Sequence, residues 1–208
     1  MQQYLDVIRR VLDTGQRKNN RTGVDTLSTF NVNYQIDLRE GFPLLTTKEI
    51  SWKNIVVENL WFLSGDTRID LLRKHGCKFW EPWADEDGLV PSAYGNFWRN
   101  YPVHTDGEAT FNDQIRYVIN ELKQNPQSRR LVVSAWAPGN AQTSALPPCH
   151  AFWVMNVQQD ATGEPMLCLH LTQIDHVKQR QQVFLCFHHR LLVHKMSKFV
   201  LLYQAQIA

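Results

Sequence analysis

The chain has 208 residues, 43% of them hydrophobic, with 20% charged and a net charge of +2. That length suits about one domain with a substantial core, and the composition excludes disordered, collagen-like, coiled-coil and disulfide-scaffold classes. Lys and Arg are scattered rather than striped, which argues against a nucleic-acid-binding module.

Residues 3–14 place Leu5, Ile8, Val11 and Leu12 on one face, with Gly15 as a stop, and predict an amphipathic helix. Asp6, Arg9, Arg10 and Asp13 within it exclude a signal-peptide core. Residues 16–26 are polar and turn-rich. Alternating Phe30, Val32, Tyr34, Ile36 and Leu38 predict a strand with one buried face, and GFPLLTTKE a turn with a short strand or loop. Residues 51–63 are apolar nearly all round, which predicts a buried helix, closed by a glycine turn over 64–67. A further helix is expected over 67–75, a loop holding Trp80, Trp83 and Trp98 over 76–101, and a surface helix over 112–123. Strands are expected at 131–136, 149–157 and 166–171. There is no repeat, no dividing linker and no run of roughly 18 uncharged apolar residues to span a membrane. Cys77, Cys149, Cys168 and Cys186 form no CxxC, which fits a reducing cytoplasm.

Glu58 lies on the apolar helix, where burial raises a carboxyl pKa toward the range of a general acid or base. The alternatives are pairing with a buried Arg or a narrow wet stripe. Cys149 follows two prolines at a strand start and stands beside His150; it is either a nucleophile or a small buried hydrophobe. Adjacent strand residues face opposite ways, so His150 need not activate it directly. Arg129 and Arg130 suit phosphate or carboxylate recognition, or are solvated charge, and Arg21 is equally open. Trp80, Trp83 and Tyr94 either stack on a flat ligand or pack a long loop, the second being the commoner use. Cys186, His188, His189 and His194 match no metal spacing, so no metal is expected.

Taken together, QYLDVIRRVLDTG, NRTGVDTLSTF, GFPLLTTKE, ENLWFLSGDT, FWEPWADEDG, AYGNFWR, QSRRLVVSAW, LPPCHAFW and LCLHLTQ closely resemble the thymidylate synthase family, in family order over residues 2–173. The resemblance implies an α+β fold, a mixed β-sheet packed with helices, with one sheet face forming a homodimer interface, and a single domain over 1–208. It implies reductive methylation of dUMP to dTMP with 5,10-methylenetetrahydrofolate as co-substrate, giving dihydrofolate. Cys149 and Glu58 would be catalytic. Arg21, Arg129, Arg130, Tyr94, His150 and Gln173 would bind substrate, the paired arginines being lent to the neighbouring subunit. Trp80 and Trp83 would line the folate pocket. The alternatives are a pyrimidine-nucleotide hydroxymethylase, which shares the Cys and the folate, and a catalytically silent binding or dimerisation module.

The pattern breaks after Gln173. The family continues with an Arg-Ser-x-Asp motif and a stretch ending in an Asn that reads the pyrimidine; here Ile174, Val177 and Leu185 stand at the Arg, Asp and Asn positions. Ala137 replaces a common Asn, VFL at 183–185 echoes the lost stretch out of register, and LLVHKM from Leu191 resembles the family's next helix again. A His-x-Tyr motif and a closing tail are absent. Composition changes at the same point. Residues 174–208 hold no Gly or Pro and carry Lys178, Arg180, Arg190, Lys195 and Lys198 against Asp175, a net +4, leaving −2 on the first 173 residues. These breaks predict a frameshift or sequence error over 174–190, a C-terminally incomplete domain, and an uncovered sheet edge with exposed apolar surface.

Overall fold

The computed structural model describes residues 2–19, 25–47, 49–140, 142, 144–177 and 182–193. The chain runs through α1 (Gln2–Thr14), β1 (Gln16–Lys18), β2 (Thr26–Asp37), α2 (Trp52–Ser64), α3 (Asp70–Lys74), a 3-10 turn (Glu81–Trp83), α4 (Tyr94–Arg99), β3 (Tyr101–Thr105), β4 (Glu108–Asn112), α5 (Gln114–Gln124), β5 (Val132–Ser134), a second 3-10 turn (Pro138–Asn140), β6 (His150–Gln159), β7 (Pro165–Val177) and β8 (Gln182–Val193). This is a mixed α+β architecture.

Six strands form one sheet in the order β1-β2-β8-β7-β6-β5, antiparallel except where β2 and β8 run parallel. The β3–β4 pair is a separate hairpin. Helices α2 and α4 and the loops beside them bury Trp61, Phe62, Trp80, Tyr94 and Trp98 with Trp153 and Leu169 of the sheet in the main core. A smaller cluster packs α1 on β2 through Val7, Val11 and Val32.

Local chemistry sets the element ends. Ser51 Oγ accepts from the Asn54 N–H at 3.4 Å and so caps α2. Gly65 ends that helix at φ 75°, a left-handed conformation that costs glycine little. Asp113 caps α5 by accepting from the Arg116 N–H at 2.9 Å.

Several expectations are corrected. The buried stripe of α1 centres on Val7 and Val11, which turns Leu12 out to 56% exposure. Phe30 is 85% exposed because Asn31 takes φ 58° at a bulge, where the β2–β8 register slips between Thr29 and Val32. Helix α2 is not buried all round, since Trp52 and Leu60 face outward. The helix expected over 67–75 is confined to Asp70–Lys74. The expected loop over 76–101 contains α4, and the surface helix starts after β4 rather than at 112.

The segment beyond the composition break also differs from expectation. Residues 182–193 form a strand paired with β2 on one side and β7 on the other, so no open edge is left there. Its run of Val, Phe, Leu, Cys and Phe without Gly or Pro favours extended backbone. Leu191–Val193, expected to open a helix, close this strand; His194 to Met196 lie outside the described residues.

Candidate active site

Cys149 stands one residue before β6, after Pro147 and Pro148. Prolines fix φ and remove two N–H donors, so the approach to the strand is stiff. The thiol is half-buried, and Sγ lies 3.9 Å from the Pro147 carbonyl oxygen, within reach for a weak S–H bond. The Cys149 backbone N–H donates to Tyr94 Oη at 3.3 Å. That contact joins the start of β6 to the first turn of α4.

His150 is buried to 3% exposure, and Tyr94 meets its ring edge-on with centroids 5.2 Å apart. Across the sheet, Gln173 of β7 sits in register with His150 and is equally buried. Tyr94 also packs edge-on to Trp80, centroids 5.5 Å apart, and Trp80 Nε1–H donates to Glu58 Oε1 at 2.5 Å. Burial pushes the Glu58 carboxyl up from 4.5 to about 7, and the Trp80 hydrogen bond offsets part of that rise.

The described structure therefore brings six of the sequence-predicted residues into one connected group: Glu58, Trp80, Tyr94, Cys149, His150 and Gln173. Through the Cys149 backbone, the Tyr94 ring and Trp80, the group links the strand start that carries the thiol to a carboxyl raised to about 7. Chemically it offers a nucleophile and a group able to give and take protons near neutral pH.

Trp80 also belongs to the core, ringed by Trp61, Phe62 and Tyr94. The remaining expected residues lie outside the group. Trp83 follows on the 3-10 turn, half-buried against the same core. Arg129 and Arg130 are exposed in the loop before β5 and form no ion pair among the described residues. Arg21 lies outside the described residues, as do His194 and the side chains of Cys186, His188 and His189. Among the described residues no group of three His, Cys, Asp or Glu converges, and no helix is long and apolar enough to cross a membrane. A cavity of about 140 Å³ between α1 and the end of β2, lined by Tyr4, Tyr34, Asp37 and Phe42 among others, involves none of the expected site residues.

Sequence reading passes over two partnerships. Nothing in the local pattern pairs Trp80 with Glu58, although a buried indole N–H generally requires an acceptor. Gln114 is the other. Its carboxamide makes three buried or part-buried hydrogen bonds, while its helix reads as a plain surface one.

A family model described as thymidylate synthase matches residues 2–185, past the break seen at Gln173. A thymidylate synthase of Haloferax volcanii is 48% identical over 187 residues, covering 81% of this chain and 53% of that protein. The chain thus spans about half the length of the curated relative it matches.

Proposed function

Since the chain belongs to the thymidylate synthase family, we propose that it carries out the reductive methylation of dUMP with 5,10-methylenetetrahydrofolate as co-substrate. The observation that carries this reading is the connection of the Cys149 backbone N–H, beside a half-buried thiol, to the Glu58 carboxyl through Tyr94 and Trp80. The Cys149 thiolate adds to C6 of the pyrimidine, and the electron pair moves to C5. C5 then bonds to the methylene carbon delivered by the folate. Loss of the C5 proton and hydride transfer from the folate give dTMP and dihydrofolate, and Cys149 leaves C6.

Glu58 fits the proton transfers at the pyrimidine, because a group titrating near 7 gives and takes protons with little penalty. Tyr94, His150 and Gln173 supply buried polar atoms for the base. Arg129 and Arg130 offer two bidentate forks for a phosphate and, being exposed, serve the site of a neighbouring subunit. Arg21 is assigned to the phosphate as well. Trp80 and Trp83 are assigned to the folate side, with Trp80 acting from the core through Glu58.

The homodimer uses the outer face of the sheet. On β6, Trp153 and Met155 point into the core while Phe152 and Val154 alternate outward and stay exposed. Exposed apolar residues on a sheet face favour burial against a second copy.

Trapping tests the activity. Incubated with 5-fluoro-dUMP and methylenetetrahydrofolate, the protein is expected to gain a covalent adduct on Cys149, read by intact mass and peptide mapping, and Cys149→Ser is expected to gain none. No adduct while dUMP still binds would overturn the enzymatic reading in favour of a silent binding module.

A further inference from the structure

We infer that Gln114 is a positioning residue that holds Tyr94 against Cys149, an inference that rests on the reading of Cys149 and Tyr94 as site residues. Gln114 is the first residue of α5 and is buried to 8% exposure. Its Nε2 donates to the Phe97 carbonyl at 2.8 Å and to the Ser134 carbonyl at 2.7 Å. Its Oε1 accepts from the Ser134 N–H at 2.9 Å. The carboxamide thus answers both backbone polar groups of a residue on the edge strand β5, as a neighbouring strand would, while the same Nε2 grips α4.

Each grip leads to the candidate nucleophile. Phe97 lies one helical turn after Tyr94 on α4. Ser134 precedes Ala135, whose N–H donates to the Ala151 carbonyl at 2.9 Å, two residues after Cys149. The Cys149 N–H on Tyr94 Oη closes the loop at 3.3 Å. Gln114 is therefore the piece that fixes the distance between α4 and the strand pair β5–β6, and with it the span that the Tyr94–Cys149 contact must bridge. Its own placement is rigid. Adjacent Asp113 is held by a two-pronged contact from Arg99 at 2.9 and 2.8 Å, and Arg99 also donates to the Leu63 carbonyl at the end of α2 at 2.6 Å.

The test reads Cys149 itself and uses no nucleotide, so its failure is distinct from failure of the proposed reaction. Iodoacetamide alkylation of Cys149 is followed by peptide mass in the parent, Gln114→Ala, Tyr94→Phe and the double variant. Freeing the backbone at Cys149 is expected to raise its alkylation rate about fivefold in Tyr94→Phe, the order of one net hydrogen bond. Gln114→Ala is expected to show the same rise, and the double variant no more than either single one, because residues in one network do not add. A parent-like rate in Gln114→Ala, or a product of the two effects in the double variant, would overturn the inference. If Gln114→Ala does not melt cooperatively, native-state hydrogen exchange of the parent protein decides. The amides of Ser134 and Cys149 are expected to open with the same denaturant dependence, and opening in separate events sinks the idea.

Discussion

Trp80 donates its indole N–H to the Glu58 carboxylate across the boundary between the aromatic core and the candidate active site. The two residues come from different elements, α2 and the loop before the first 3-10 turn, and the bond makes the packing of that loop a determinant of the carboxyl's proton affinity. Desolvation raises the affinity of Glu58 for its proton; the indole, which bonds the charged form, lowers it.

Glu58 should therefore make stability fall with pH. Its folded pKa of about 7 lies above its ordinary 4.5, so between those values the folded state holds a proton that the unfolded state has lost. The stabilisation is complete below about pH 4.5, falls through the window, and is gone above about pH 7, a total of about 3 kcal/mol. Glu58→Gln should flatten this slope, making the variant less pH-sensitive than the parent and more stable relative to it at pH 8 than at pH 5. Urea unfolding at several pH values measures this, and parallel curves for the two proteins would count against it.

Trp80→Phe keeps an aromatic ring among Trp61, Phe62 and Tyr94 but removes the donor. Hydrogen bonds to charged groups contribute about 1.5–3 kcal/mol, so the ionised form of Glu58 loses support of that order. The Glu58 titration should move further up from about 7, seen by carbon NMR of labelled glutamate. A titration that stays in place would mean the bond does not set the proton affinity.

How far the sequence foretold this arrangement depends on the range of the forces involved. The helix at α1, the strand at β6 and the prolines before Cys149 rest on local signals, and all three appear in the fold, although the buried stripe of α1 centres on Val7 and Val11. Glu58 carried its own signal, a carboxyl on an apolar helix. The Trp80–Glu58 bond and the Gln114 clamp span 22 and 20 positions of chain, so no window on the sequence contains either pair with its geometry. Phe30 misled because an alternation count has no means of seeing the bulge at Asn31. The β3–β4 hairpin did have a cue, the Asp106-Gly107 turn with both φ values positive, but β4 is exposed at every position, so burial leaves little mark on its sequence.

Gly95 sits where α4 crosses α2. A Cβ there would lie 2.7 Å from the Phe62 Cα and carbonyl carbon and closer still to the carbonyl oxygen, all of it backbone that cannot swing aside. Gly95→Ala should therefore push α4 off α2 and cost about 1–3 kcal/mol or more, as overpacked cores do. Because Tyr94 precedes it, the variant should also loosen the Tyr94–Cys149 contact and speed exchange of the Cys149 amide. Thermal melting with site-resolved hydrogen exchange checks both effects. An unchanged melting temperature would show that the helices can separate at little cost.

Phe152 and Val154 supply the test of the sheet-face dimer. They alternate with buried Trp153 and Met155, so a charge at 152 enters the outer face without touching the core. Phe152→Asp should leave the fold within about 0.5 kcal/mol in a monomer, as exposed substitutions generally do. Across a paired face it would instead bury a carboxylate against its own symmetry-related copy, because a two-fold interface repeats every change. Sedimentation equilibrium at micromolar protein should find the parent at twice the monomer mass and the variant at the monomer mass, with circular dichroism unchanged. A variant that dimerises as well as the parent would place the interface elsewhere, and a parent that sediments as a monomer would leave the exposed arginines without a neighbouring site to serve.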